Sequence, residues 1–562
     1  MTQVPVHWSS VDDVSVAWVP SDAAELSGAL LFRVGKSDEA MFLNGITHVI
    51  EHLALYAVGR PPHAVNGSVA TTVTSFTCSG TPAEVTAFFT GLCRSLSALP
   101  VERMAAEARV LATEEANKRG SSYGEHMYWR YGCSGPGLIA SDEFATLSMT
   151  GAQVQAWADQ RMTAQNAVLV LSGPVPEGLR LELPRGSRYA VPPLDPILTS
   201  YPRWFQSRTG RVTLSSLVER SPALPALLFC LNELMVERLR TQSAVAYSPA
   251  VDADPYDATR AHLFLDADAH PDHAFRAIQL VRGLMTELAA TGPSPEVLTR
   301  FQRSAAAEPT GSEAGHAMWE ARQHLLCAPH VPAAEYRQQI RQASAVQVQH
   351  LAQQAMASLM YGVPQGTRLD DGIARSVDYT YTGPVYGGDQ VQPAFDDHSH
   401  GELFASPGAL THRNSTAVVS TAFGSAVAVL AWPDGARRII NRDGSGIMIE
   451  PTLWEDGARL VALVDAATTG VQVPMQPRPV DSIPQPRMTT ITPVLDEVVR
   501  AQRARTRFGA LGSLKAKVLS ATLGSLGVGA LATQSGSRNI AWFGFLAVAG
   551  WSSFAAGWRR RS

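Results

Sequence analysis

Three proline-rich stretches limit what this chain can fold into. The first carries Pro184, Pro192, Pro193, Pro196 and Pro202. The second, over residues 366–401, mixes Gly, Asp and Pro with little periodicity. The third carries Pro474, Pro477, Pro479, Pro484 and Pro486. Proline lacks a backbone N–H and holds φ near −65°, so neither a helix nor a central strand runs through such a stretch. They read as linkers. The 562 residues then divide into a first domain at 1–190, a second at 205–365, a small one at 402–475 and a tail at 494–562.

Hydrophobic residues make up 45% of the chain, enough for sizeable cores. Lys and Arg total 46 against 50 Asp and Glu, a net charge of −4, which gives no argument for nucleic acid as a partner. Charged residues are only 17%, below the usual quarter, which points to membrane-embedded sequence or long neutral interfaces. Cys78, Cys93, Cys133, Cys230 and Cys327 are scattered without a CxxC pair, as expected of buried thiols in a reducing compartment. The N-terminus lacks the basic and apolar regions of a signal peptide.

The first domain mixes strands and helices. Strands are predicted over 26–34, 69–78 and 165–171, and helices over 44–58 and 100–118, the latter with Pro100 at its start and Gly120 past its end. The second domain repeats the style, with helices near 224–241 and 271–288 and a strand near 262–268, yet shows no close repeat of the first. In the third, short apolar runs at 425–432, 437–441 and 446–450 are separated by Asp-Gly turns, which predicts hairpins in a small barrel or sandwich.

The most specific motif is His48-Val49-Ile50-Glu51-His52. On a helix, all three polar side chains share one face. Two imidazoles four residues apart can grip one zinc ion, and a carboxylate beside them can take a proton from water. The plainer reading is a helix whose histidines merely pack or face solvent. A hydrolytic site also needs a third ligand, for which Glu107, Glu114 and Glu115 on the next helix are candidates. Glu107 and Glu114 are two turns apart and share a face.

These residues resemble the inverted zinc signature His-x-x-Glu-His and, with their surroundings, the M16 peptidase family. Residues 34–39 and Gly45-Ile46-Thr47 look like that family's N-terminal pattern, and residues 239–248 resemble its stretch ending in Ala-Tyr-Ser. The interval of 62 residues from His52 to Glu114 is shorter than the family's usual spacing. The resemblance implies an α+β fold of two related sheet-plus-helices domains, one Zn2+ per chain held by His48, His52 and Glu114, Glu51 as general base, and Glu107 as a partner of the ligands. It further implies Arg240 and Tyr247 as a substrate-binding pair, and Asn66, Thr74 and Phe76 on an edge strand where substrate adds. Family members enclose their site with four such domains, so a homodimer or a paired subunit is expected. The small third domain looks faintly like a pleckstrin-homology barrel.

The tail differs from the rest. From Arg500 onward there is no Asp or Glu, while Arg and Lys flank two uncharged apolar runs, 518–533 and 540–558. The positive-inside rule predicts a two-helix transmembrane hairpin with both flanks cytoplasmic. The expectation is therefore a zinc endopeptidase tethered to the cell membrane, its catalytic domains cytoplasmic and its substrates unfolded peptides. The alternative is a non-catalytic scaffold of the same fold that binds a peptide or partner at the membrane.

Overall fold

The computed structural model describes residues 5–487, apart from 22, 60–63, 118–119, 308–312, 330, 370–371, 376–384 and 416. The predicted hairpin therefore lies outside the described residues. Among the described residues no helix is long and apolar enough to cross a membrane.

The first domain is built on strands β1 (His7–Val11), β2 (Val14–Trp18), β3 (Leu26–Phe32), β4 (Ala64–Val69), β5 (Thr74–Gly80) and β6 (Ala167–Leu171). Their order in the sheet is β1-β2-β6-β3-β5-β4. The run AVLVL of β6 is wholly buried, as its central place requires. One face is covered by α1 (Ile46–Val58), α2 (Pro82–Ser97) and, outside α1, α3 (Met104–Asn117). Helix α2 starts on a capping box in which Thr81 and Glu84 satisfy each other's backbone N–H groups. Helix α1 buries Ile46, Val49, Ile50 and Leu53 among Phe32, Phe76 and Phe89. Helices α4 (Ser122–Tyr131) and α5 (Gly151–Arg161) follow.

The second domain has strands β7 (Arg203–Gln206), β8 (Val212–Glu219), β9 (Ala250–Pro255), β10 (Arg260–Ala267), β11 (Met360–Val363) and β12 (Ala374–Arg375). Their order is β12-β7-β11-β8-β10-β9, and the five strands after the first repeat the order of β2-β6-β3-β5-β4; the edge strands differ, since β1 opens its domain antiparallel to β2 and β12 closes its own parallel to β7. The directions agree too: β6 lies parallel to β2 and antiparallel to β3, and β11 lies parallel to β7 and antiparallel to β8. The helices are α6 (Leu224–Met235), α7 (Ala274–Thr291), α8 (Pro295–Ala307), α9 (Glu313–Leu325), α10 (Ala333–Arg341) and α11 (Ala345–Ala357). The fold is thus α+β, with two related domains.

The domains exchange helices. Ala317, Ala321 and Leu325 of α9 pack on Ala17, Ala29, Leu31, Val168 and Val170, the face of the first sheet that α1 and α2 leave bare. In return α4 lies on the second sheet, where His126 meets the Thr213 hydroxyl at 2.8 Å and the Tyr131 hydroxyl meets His262 Nε2 at 2.7 Å.

The third unit contains two four-stranded sheets. One is ordered Asp389–Val391, Glu402–Ser406, Ala409–Arg413, Val418–Ala422; the other Gly446–Ile449, Arg437–Asn441, Ala426–Ala431, Gln472–Pro474. Helix α12 (Gly457–Ala467) packs with them. The hairpins predicted over 425–450 are present, but the unit is no free appendage. Ala428, Leu430, Ile440 and Val473 belong to the same apolar cluster as α1 and α2, and the strand Ala426–Ala431 abuts the turn Met41–Leu43 that leads into α1.

Two predictions follow from this packing. Leu430→Ala removes a buried side chain from a shared core and should cost about 2–5 kcal/mol. Calorimetry should show the first domain's transition moving with it; an unmoved transition would make the third unit independent. The second concerns pH. Burial, reinforced by Arg130 and Arg260, pushes His262 down to about 3. Burial and Arg130 likewise hold His126 well below the ordinary imidazole range. The unfolded chain binds these protons near pH 6.5 and the folded one does not, so stability is fully present above that pH and falls as pH drops toward 3. His262 alone should contribute a loss of about 2 kcal/mol at pH 5. Equal denaturant midpoints at pH 7 and pH 5 would contradict this.

Candidate metal centre

The site is built from the head of α1. Gly45 caps that helix at φ +100°, a conformation that favours glycine. The Glu39 carboxylate accepts from the backbone N–H of Gly45 at 2.8 Å and of Thr47 at 3.0 Å. A carboxylate at a helix N-terminus satisfies free N–H groups and opposes the helix dipole. Lys36 is buried beside it and pairs with Glu39 at 3.5 Å, Asn44 at 3.4 Å and Glu143. Burial alone would lower the Lys36 pKa, but the two carboxylates raise it. Asn44 donates to the carbonyls of Ser141 and Asp142 at 3.1 Å, which ties the loop carrying Glu143 to the start of α1.

His48 and His52 then project from one face, their rings 5.0 Å apart and nearly perpendicular. His48 Nδ1 lies 2.9 Å from Glu143 Oε2. His52 Nδ1 lies 3.5 Å from Glu107 Oε2. An ionised carboxylate only accepts, so these contacts favour a proton on each Nδ1 and turn each Nε2 toward the site. Both carboxylates have a cation behind them: Lys36 for Glu143, and Arg103, which donates to Glu107 Oε1 at 3.2 Å. Arg103 in turn sits 4.2 Å from the centre of the Tyr56 ring.

The free nitrogens face a common point. Glu114 Oε2 is 3.8 Å from His48 Nε2 and 3.8 Å from His52 Nε2, and the ligand atoms of the three residues lie within 4.8 Å of one another. A tetrahedral zinc with bonds near 2.0–2.1 Å separates its ligands by about 3.3 Å. The donor set of two imidazoles and a carboxylate suits zinc, with Glu114 about 0.5 Å farther from each imidazole nitrogen than a shared ion would hold it.

Glu51 sits beside this point, its Oε2 3.8 Å from His48 Nε2 and its side chain buried. Burial raises its carboxyl above the ordinary range, with His48 and His52 opposing and Glu114 and Glu143 adding to the rise. It lies under strand β4 at Gly67, where a Cβ would come within 2.2 Å of Glu51 Oε1. Glycine is required there for the strand to approach so closely.

The edge strand needs a correction. The segment 69–78, expected as one strand with Thr74 and Phe76 on the open edge, holds the end of β4, a turn at 70–73 and the start of β5. The edge is β4, carrying Asn66, and β5 lies inside it with Asn66 opposite Thr77 and Gly67 opposite Phe76. Thr74 and Phe76 are 0% exposed. Thr74 donates to the Val34 carbonyl at 2.8 Å, and Phe76 packs edge-on against Phe32. Their side chains belong to the core, whereas Asn66 is exposed.

Arg240 and Tyr247 are brought together, with the guanidinium 4.8 Å from the Tyr247 ring centre and the ring 73% exposed. The chain there leaves α6 through a π-helical turn, Val236–Gln242, and Asp268 accepts from the backbone N–H of Tyr247 and Ser248. Neither residue is among the described partners of His48, Glu51, His52 or Glu114.

No protein-family model and no curated protein sequence matches this chain. Solved structures do. A protease from Helicobacter pylori aligns at TM-score 0.53 and 15% identity, over 65% of this chain and 100% of its own. A peptidase M16 inactive domain from Pseudomonas fluorescens aligns at TM-score 0.53 and 13% identity, over 65% and 99%. An M16-like peptidase from Alicyclobacillus acidocaldarius gives TM-score 0.51 and 15% identity, over 65% and 99%. The chain has the M16 fold. One of these neighbours is described as inactive, so fold alone does not decide catalysis, and the site residues must.

The close approach at Gly67 is testable by a thermodynamic cycle. Gly67→Val should destabilise the protein by about 1–3 kcal/mol through overpacking. Most of that loss should vanish in a Glu51→Ala background, because the obstructing carboxylate is gone. Strict additivity of the two changes in urea unfolding would show that residue 67 does not press on Glu51.

Proposed function

We propose that the chain is a zinc endopeptidase or oligopeptidase that acts on extended peptides. The observation carrying this reading is the convergence of His48 Nε2, His52 Nε2 and Glu114 Oε2 on one point beside the buried Glu51 carboxyl. When bound there, one zinc per chain supplies Lewis acidity toward a carbonyl oxygen and makes water a stronger acid. Glu51 takes the proton of the attacking water and returns it to the leaving amine.

Substrate adds as a further strand to β4, with affinity from backbone pairing. Asn66 faces it, and Gly67 lets its scissile bond pass close over Glu51. Folded proteins cannot present such a strand and should be poor substrates. Arg240 and Tyr247, from the second domain of this or a neighbouring subunit, hold peptide carbonyls and steady the oxyanion. The partner completing the chamber is a second copy or another chain of this fold. Residues 494–562 anchor the protein at the cell membrane, with the catalytic domains on the cytoplasmic side.

A non-catalytic, peptide-binding reading is favoured by one observation, the fold's likeness to an inactive M16 domain. Glu51→Gln separates the two. The purified wild type should hold one zinc per chain by elemental analysis, and His48→Ala should lose it. Glu51→Gln should keep the metal while cleavage of an unstructured peptide falls about 100- to 10,000-fold. Equal cleavage by wild type and Glu51→Gln, or no chelator-sensitive cleavage at all, would refute the peptidase reading.

A further inference from the structure

His48 is held by a carboxylate that lies outside the zinc motif and outside the helix carrying Glu107 and Glu114. Glu143 stands at the end of the loop after α4, 95 residues from His48 in sequence. It is buried, and its two oxygens face different partners. Oε2 lies 2.9 Å from His48 Nδ1, and Oε1 meets the buried ammonium of Lys36. Lys36 is itself fixed by Glu39, whose carboxylate accepts from the first N–H groups of α1, and by Asn44. A rigid chain of contacts thus runs from the backbone of α1, through Glu39, Lys36 and Glu143, to the ring of His48.

We propose that Glu143 is a positioning residue of the metal centre. It fixes the His48 tautomer and ring plane so that Nε2 faces the metal, and Lys36 anchors it in turn. This rests on the zinc reading above. The physical basis is general: an imidazole ligand that donates its other N–H to a carboxylate is oriented and made a better electron donor. The pairing is also asymmetric. The His48 contact is 2.9 Å and its carboxylate is backed by a buried lysine, whereas the His52 contact is 3.5 Å and its carboxylate is backed by a partly exposed arginine. His48 is therefore the firmly set ligand and His52 the adjustable one.

The test uses the full chain, with zinc ion titrated against a chelating dye and cobalt(II) as the spectroscopic substitute. Glu143→Ala should weaken zinc binding about 10- to 100-fold. In the cobalt protein, one of two shifted, solvent-exchangeable imidazole N–H resonances, the one lost in His48→Ala, should move or broaden. The resonance of His52 should stay. Glu143→Gln, which keeps a carbonyl acceptor at the same place, should move the same resonance less and recover part of the affinity. It also serves if Glu143→Ala fails to fold. Lys36→Met should act in the same direction as Glu143→Ala, since it frees the carboxylate. An unmoved His48 resonance together with zinc affinity within two-fold of wild type, in whichever Glu143 variant folds, would overturn the proposal while leaving the zinc reading intact. A wild type that takes up no more zinc than His48→Ala would overturn both.

Discussion

Lys36 is the interaction on which the site depends. A buried ammonium is tolerated only where anionic groups surround it, and here two carboxylates with different duties do so. Glu39 seats the first turn of α1, and Glu143 seats the first imidazole that the turn projects. Removing the ammonium would leave two buried carboxylates close together without compensation. The geometry of the candidate metal centre is thus set before the metal ligands themselves are considered. Charge at one end of α1 aligns the helix, and apolar packing along its opposite side holds it down.

The second determinant is how the first sheet presents its edge. Strand β5 shields the core, and β4 lies outside it with its backbone open and a glycine over Glu51. The polar sequence Asn66-Gly67-Ser68 makes a poor strand by composition, and such a polar edge resists unwanted pairing with other chains. The open edge strand and the buried Glu51 carboxyl are therefore close together, and they are separated in sequence only by the end of α1 and the short segment after it.

Much of this was legible in advance. The period of α1, the face shared by His48, Glu51 and His52, and the two-turn interval from Glu107 to Glu114 are local, and local spacing is what sequence carries best. The strand over 69–78 was misplaced because Thr71, Thr72 and Val73 resemble a strand more than Ala64–Val69 do, although tertiary pairing puts the turn at the former. The relation between the two domains left no repeat in the residues and was legible only through the family resemblance, since topology constrains where strands go and leaves most residue choices free. Glu143 gave no signal either. A single acid in a polar loop acquires meaning only when folding brings it beside a ring 95 residues away.

The exchange of helices between the domains has a consequence for synthesis. The outer face of the first sheet, with Ala17, Leu31 and Val170, is finished only by α9. The last strand of that sheet is complete at Leu171, but its cover begins at Glu313. At about 5–20 residues per second, a ribosome takes roughly seven to thirty seconds to cross that gap. For that interval the nascent sheet carries a bare apolar surface. A chaperone that shields growing chains should matter more for this protein than for one whose domains close in order.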